Sequence, residues 1–156
     1  MNELMIFLPR LVLEVFMAFL GTCCFAVIFC VPPRHYVACG IDGAIGWLVY
    51  SLMMLVQPST VIATLVAAIP LTLLARVFAI TLKAPVTVFL LCGIFPLVPG
   101  AGIYYTAYNF IHGDTAAFAA KGIETLKIAC ALAISISLVV GIPLPQRKNA
   151  GRKDLT

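Results

Sequence analysis

The sequence predicts an all-α, polytopic membrane protein: a bundle of five transmembrane helices whose fourth member is broken in the middle. Three observations carry that prediction. Hydrophobic residues make up 63% of the 156-residue chain, and mean hydropathy is +1.11. Charged residues are only 10%, against about 25% in soluble domains. The apolar residues fall into long runs with short connections, and no polar block is large enough for a soluble domain. The chain therefore divides into a transmembrane domain over 1–145 and a basic cytoplasmic tail over 146–156.

The first span is expected over 11–31, preceded by Pro9 and Arg10 and stopped by Pro32, Pro33 and Arg34. Its apolar stretch exceeds that of a signal peptide, Glu3 spoils a basic leader, and no small-x-small site precedes the double proline, so a retained span is expected. Arg10 and Glu14 stand one turn apart, and an interfacial ion pair accounts for Glu14 better than a proton-coupling role. The second span begins at Ile41, with Asp42 as its N-cap, and ends at Gln57 before Pro58. At about 15 residues it must extend back through His35, Tyr36 and Val37 or cross a thinned membrane. Gly40, Gly43 and Gly46 allow close approach of a neighbouring helix.

The third span covers 59–80 with Pro70 inside it. Thr60, Thr64, Thr72 and Arg76, with Ala68 in the missing step, form an i, i+4 ridge expected to face protein. Threonine hydroxyls bonding back to their own helix and a snorkelling arginine explain the ridge as well as a pore lining does. The fourth span, 85–111, carries the break. Each proline at 96 and 99 removes a backbone donor and clashes with the preceding turn, while Gly100 and Gly102 relax the backbone. The helix between Pro85 and Pro96 reaches about 16 Å, half of a ~30 Å hydrocarbon core, so the break over 96–102 falls near the midplane. Non-helical backbone at that depth survives only where protein, water or a ligand satisfies it, which makes this stretch the strongest functional pointer in the chain.

Beyond the break, Tyr104 and Tyr108 share one helix face, and Tyr105 and Asn109 the next. An interfacial aromatic belt explains Tyr108 as well as a binding role does, whereas Tyr104 lies near the midplane and needs a hydrogen-bond partner. A turn at 112–115 follows. A lead-in over 115–127, with Lys121, Glu124 and Lys127, reads as a solvated interfacial turn. The fifth span is expected over 128–142, ended by Pro143 and Pro145, with Ser135 and Ser137 as packing hydroxyls.

Five spans put the termini on opposite sides. With the C-terminus inside, Arg34, Arg76, Lys83, Arg147, Lys148, Arg152 and Lys153 face the cytoplasm and Arg10, Lys121 and Lys127 face outward, so the charge bias selects N-out, C-in. The basic tail reads as a cytoplasmic anchor and not as a nucleic-acid arm. The six cysteines form no C-x-x-C pair and only two histidines accompany them, so free thiols and no metal site are expected. No G-x-S-x-G, H-E-x-x-H, paired intramembrane aspartates or P-loop is present, which argues against an enzyme and against a cofactor.

At Phe95-Pro96-Leu97-Val98-Pro99-Gly100-Ala101-Gly102-Ile103-Tyr104, with Gly113-Asp114 after it, the chain resembles the bacterial threonine/serine exporter family. More narrowly, it is similar to the small, membrane-only subunit that corresponds to that family's C-terminal five-helix half. The resemblance covers roughly 11–145 and is specific around 93–114. It implies an inner-membrane exporter of small hydrophilic metabolites working with a larger homologous subunit that has its own soluble domain. Two-subunit members of the family are also linked to dicarboxylate export, so amino acids and dicarboxylates both remain candidate substrates.

The residues agree with a carboxylate ligand. The amides that open the second half-helix, near Ala101 to Ile103, carry partial positive charge. The expected substrate-binding set is Pro96, Pro99, Gly100, Ala101, Gly102, Tyr104, Tyr105 and Asn109. Glu14, Asp42, Asp114 and Glu124 all read as lying near span ends, so a mid-depth charge is expected from the partner subunit. Five short helices enclose little space, which points to a hetero- or homo-oligomer in the lipid bilayer. The rival class is a non-transporting structural or assembly subunit.

Overall fold

The structure is a computed structural model that describes residues 2–143, so the basic tail lies outside the described residues. Helix α1 (Asn2–Ile28) is followed by a 3₁₀ turn (Pro33–His35), α2 (Tyr36–Val56) and α3 (Thr60–Thr81). Then come α4 (Val86–Gly93), a second 3₁₀ turn (Phe95–Leu97), α5 (Gly100–Ile111) and α6 (Thr115–Gly141). No strand occurs among the described residues. Prolines punctuate the starts: Pro33 opens the first 3₁₀ turn and Pro85 is the N-cap of α4. Pro9 and Pro70 nevertheless sit inside continuous helices. One lost donor is absorbed, and the helix breaks only where two prolines three residues apart meet glycines.

Four segments are long and apolar enough to cross a membrane: Leu8–Ile28, Pro33–Val56, Thr60–Thr81 and Thr115–Gly141. Val86–Leu97 and Gly100–Ile111 form a pair bent by 57°. Whether that pair crosses or turns back is decided by the helices on either side. Ser135 Oγ donates to the Leu65 carbonyl at 2.8 Å, and the Arg76 guanidinium donates to the carbonyls of Val139 and Ile142. Register rises together along α3 and α6, so they run parallel. The bent pair must therefore carry the chain from one face to the other, making the fifth crossing.

Two boundaries differ from expectation. The lead-in over 115–127 is no separate turn but the first half of α6, started by Asp114, whose carboxylate accepts from the Ala117 amide at 2.9 Å. The second span reaches back to Pro33, so Asp42 is not an N-cap. His35 takes that position, and Asp42 lies seven residues on with no exposed surface. The apolar run begins at Ile41, but the double proline sets where the helix starts.

Packing is inverted relative to a soluble protein. The interior is built from small residues, among them Ala26, Cys39, Ala63, Ala67, Ala68, Ala75 and Cys92, all fully buried. Large apolar side chains such as Leu13, Phe16, Val27, Leu55 and Ile111 point outward, as lipid allows. The predicted ridge on α3 does face protein: Thr64, Ala68 and Thr72 are buried, with Thr64 and Thr72 hydroxyls returning to the Thr60 and Ala68 carbonyls. Ser135 packs as expected, whereas Ser137 faces outward. Arg10 and Glu14 pair at 3.0 Å, and the six cysteines are free.

The α2 glycines are where side chains of neighbouring helices settle. A Cβ on Gly40 would meet Phe19 and Cys23 at 2.6 Å, one on Gly43 would overlap Thr22, and one on Gly46 would meet Leu71 at 2.5 Å. At Gly100 nothing lies within 4 Å. Replacing Gly43 with leucine should therefore overpack the α1–α2 seam and lower stability by about 3 kcal/mol. Gly100→Ala should leave stability unchanged or raise it by up to about 1 kcal/mol. Thermal unfolding of both variants in one detergent checks the pair, and equal melting temperatures would contradict the packing described.

Candidate functional site

The break is stitched by short-range hydrogen bonds. Leu97 and Val98 amides donate to the Ile94 carbonyl at 2.9 and 3.1 Å, and Gly100 donates to Val98 at 2.7 Å. The first intrahelical carbonyl of α5 is that of Pro99, which accepts from Ile103 at 3.0 Å. Ala101 and Gly102 are left as the N–H groups at the α5 N-terminus without a backbone partner. Phe95 anchors the turn on α1, its ring 4.0 Å from that of Phe25 and 5.4 Å from that of Phe29.

The predicted substrate-binding residues are distributed over three environments. Pro96 and Pro99 are half-buried in the turn, and Gly100 and Ala101 are exposed at the α5 N-terminus. Gly102 faces α6, where a Cβ would overlap Thr125 Oγ1, so this glycine also has a packing reason. Tyr104 and Tyr105 are 62% and 54% exposed, and Asn109 is half-buried. Their rings meet each other edge-on at 5.3 Å, while Tyr108 stacks on His112 at 4.0 Å. No residue of α5 is fully buried, because among the described helices α5 packs extensively on α6 and not on α1, α2 or α3.

Between α5 and α6 runs a groove of about 840 Å³, lined by Val98, Pro99, Ile103, Phe110, Leu126 and Ile136 among others. Its two hydroxyls, on Thr106 and Thr125, are engaged by the Gly102 and Lys121 carbonyls at 2.7 Å. The groove is apolar and takes in only Pro99 of the predicted set. A smaller recess of about 300 Å³ lies at the other end of the α1–α2 seam, lined by Arg10, Glu14, Trp47, Tyr50 and Ser51. There Ser51 Oγ reaches Glu14 Oε2 at 3.5 Å.

Sequence reasoning missed one functional candidate, Asp42. It stands nine residues beyond Pro33, about 14 Å along the span, and so near the middle of the hydrocarbon core. This corrects the expectation that the chain holds no ionisable residue at mid-depth. Neither carboxyl oxygen has a hydrogen-bond partner, and Oδ2 fills the space a Cβ on Gly93 would need, at the last residue of α4. The other buried side-chain atoms without a partner among the described residues, His35 Nδ1 and Trp47 Nε1, lie on the same stretch of chain. The usable signal was the extension through His35, which moves Asp42 inward, together with a glycine at the break. Among the described residues no cluster of His, Cys, Asp or Glu could hold a metal ion.

Comparison with known proteins places these features in a lineage. The model of the family described as "Threonine/Serine exporter, ThrE" matches residues 14–142. A probable threonine/serine exporter of Mycobacterium tuberculosis is 31% identical over 139 residues, covering 86% of this chain and 26% of that protein. The chain thus spans about a quarter of the length of the curated relative it matches. No solved structure matches. The matched stretch runs from Glu14 through the last turn of α6 and takes in Asp42, both halves of the broken span and the parallel α3–α6 pair: this multi-pass membrane chain belongs to the threonine/serine exporter family.

Proposed function

We propose that the chain is a membrane subunit of a secondary exporter for small hydrophilic carboxylate metabolites, either threonine- or serine-like amino acids or dicarboxylates. It acts with a larger homologous subunit, in the inner membrane, with the N-terminus outside and the C-terminus cytoplasmic. The observation that carries the reading is the break itself: a membrane span bent by 57° whose second half opens with two unengaged amides. Discontinuous helices of this kind bind anionic substrate groups at a half-helix N-terminus near the bilayer midplane.

In this reading the Ala101 and Gly102 amides receive the carboxylate, Pro96 and Pro99 hold the helix open, and Gly100 leaves the approach clear. Tyr104, Tyr105 and Asn109 supply hydroxyl and amide groups along the next turns. The exposure of both tyrosines supports a site shared between chains. The second wall comes from the larger subunit or another copy, since among the described residues α6 is the one helix packed extensively on α5 and both tyrosines stay exposed. The two halves are held unequally: α4 packs on α1, α2 and α3, while α5 rests on α6. The turn over 94–99 is then the hinge about which one half tilts to alternate access.

A non-transporting assembly subunit is the second reading, favoured by the apolar character of the α5–α6 groove. Reconstitution separates the two. If the larger subunit alone exports at full rate, transport does not pass through this chain.

Orientation is read by reporter fusions. A fusion after Thr156 should report the cytoplasm and a fusion near Asn2 the outside; the same side for both would overturn the five-span topology. The break is tested by the double variant Pro99→Ala/Gly100→Ala. It restores local helix propensity by about 3 kcal/mol for proline and about 1 for glycine. Membrane abundance should hold or rise while export per inserted molecule falls at least several-fold. Normal export per molecule would remove the reason for placing the site here.

A further inference from the structure

Asp42 is a carboxyl group that the bilayer interior should not tolerate as an anion. It has no exposed surface and neither oxygen is hydrogen-bonded. The groups facing it are few. From α4 comes Gly93, against which Oδ2 rests; Cys39 of α2 and Cys92 of α4, the residue before Gly93, are buried together, and Thr22 of α1 packs at the neighbouring Gly43 with its hydroxyl committed to the Ala18 carbonyl. His35, two turns away on the same seam, faces Phe89 of α4 and is engaged by Arg34. The one ionisable side chain of α3, Arg76, is taken up at the end of α6, and the turn over Phe95–Leu97 has none. Among the described residues no cation pairs with Asp42, and burying a charge unpaired is costly. Asp42 also belongs to no group of three or more His, Cys, Asp or Glu side chains that could hold a metal ion among the described residues.

We infer that Asp42 is an intramembrane proton-binding site whose bound proton latches α4 against α2 at the break. The geometry supplies both halves of the statement. The carboxyl group fills the place of the missing Gly93 side chain, so the acid itself forms the contact between α2 and the last turn of α4. With the O–H bond intact the group is neutral and α4 can seat on it. Breaking that bond leaves a carboxylate that needs water, and water reaches it only if the last turn of α4 moves off α2. The proton then passes to that water, and reprotonation from water reseats the helix. The inference deepens the reading of the fourth span as the moving element, but its test needs no substrate. Export can fail with the latch intact, and the latch can fail with export intact.

Dicyclohexylcarbodiimide, which modifies protonated carboxyls in apolar surroundings, is applied to the full chain in lipid nanodiscs at neutral pH, and adducts are mapped by mass spectrometry. Asp42 should be modified, while Glu14, Asp114 and Glu124, which are paired or exposed, should not. No adduct on Asp42 in the folded wild-type chain overturns the proposal. Movement of α4 is read from N-ethylmaleimide labelling of the buried Cys92, with exposed Cys24 and Cys130 as internal controls for thiol ionisation. On raising the pH, Cys92 labelling relative to the controls should increase in wild type and stay about tenfold lower in Asp42→Asn, which cannot release a proton. Equal Cys92 labelling of the two proteins across the pH range overturns the latch. The carbodiimide arm uses wild type alone and stands even if the variant folds poorly.

Discussion

Every backbone donor and acceptor inside a bilayer must find a partner within the protein, and the architecture follows from how this chain meets that demand at its one interruption. Two prolines and three glycines between 93 and 102 would leave a gap in a straight helix. The chain closes most of it with a 3₁₀ turn and two further local bonds, at Val98 and Gly100, which forces the 57° bend. The bend in turn swings α5 away from α1, α2 and α3, and among the described helices α6 is the one it packs on extensively. The lopsided burial of the molecule, tight around α2 and open around α5, follows from that step.

Much of this was legible in the sequence because it depends on local composition. Five apolar runs, the ion pair of Arg10 with Glu14, the protein-facing threonine ridge and the break all follow from residue type and spacing. Asp42 did not, because its position is set by where a helix begins, which the double proline decides from ten residues upstream. A carboxylate beside the start of an apolar run looks like a cap. The tyrosines show the opposite failure: spacing put Tyr104 and Tyr105 on adjacent faces correctly, but which face of α5 meets protein depends on the bend angle and on α6, neither of which sequence periodicity encodes.

Small residues supply the rest of the stability. In lipid, large apolar side chains gain little by turning inward, so close backbone approach and dispersion replace the hydrophobic effect as the source of cohesion. This explains why the glycines of α2 sit against the side chains of Phe19, Thr22 and Leu71 rather than against open space. It also explains how one acid can be accommodated inside: Gly93 provides the volume, at the point where the fourth span is already interrupted.

The hold of Arg76 on the last carbonyls of α6 has a mechanical consequence. With Ser135 bonded to Leu65 and Leu132 packed on Ala67, Ala68 and Leu71, it makes α3 and α6 one parallel pair, between whose opposite ends α4, the turn and α5 form a closed linkage. In a closed linkage no single bar rotates freely. Were the proposed hinge over 94–99 to move, a tilt of α4 would have to be returned as a counter-tilt of α5. The α3–α6 pair, with Arg76 at one end of it, is thus the frame that fixes both ends of the broken span.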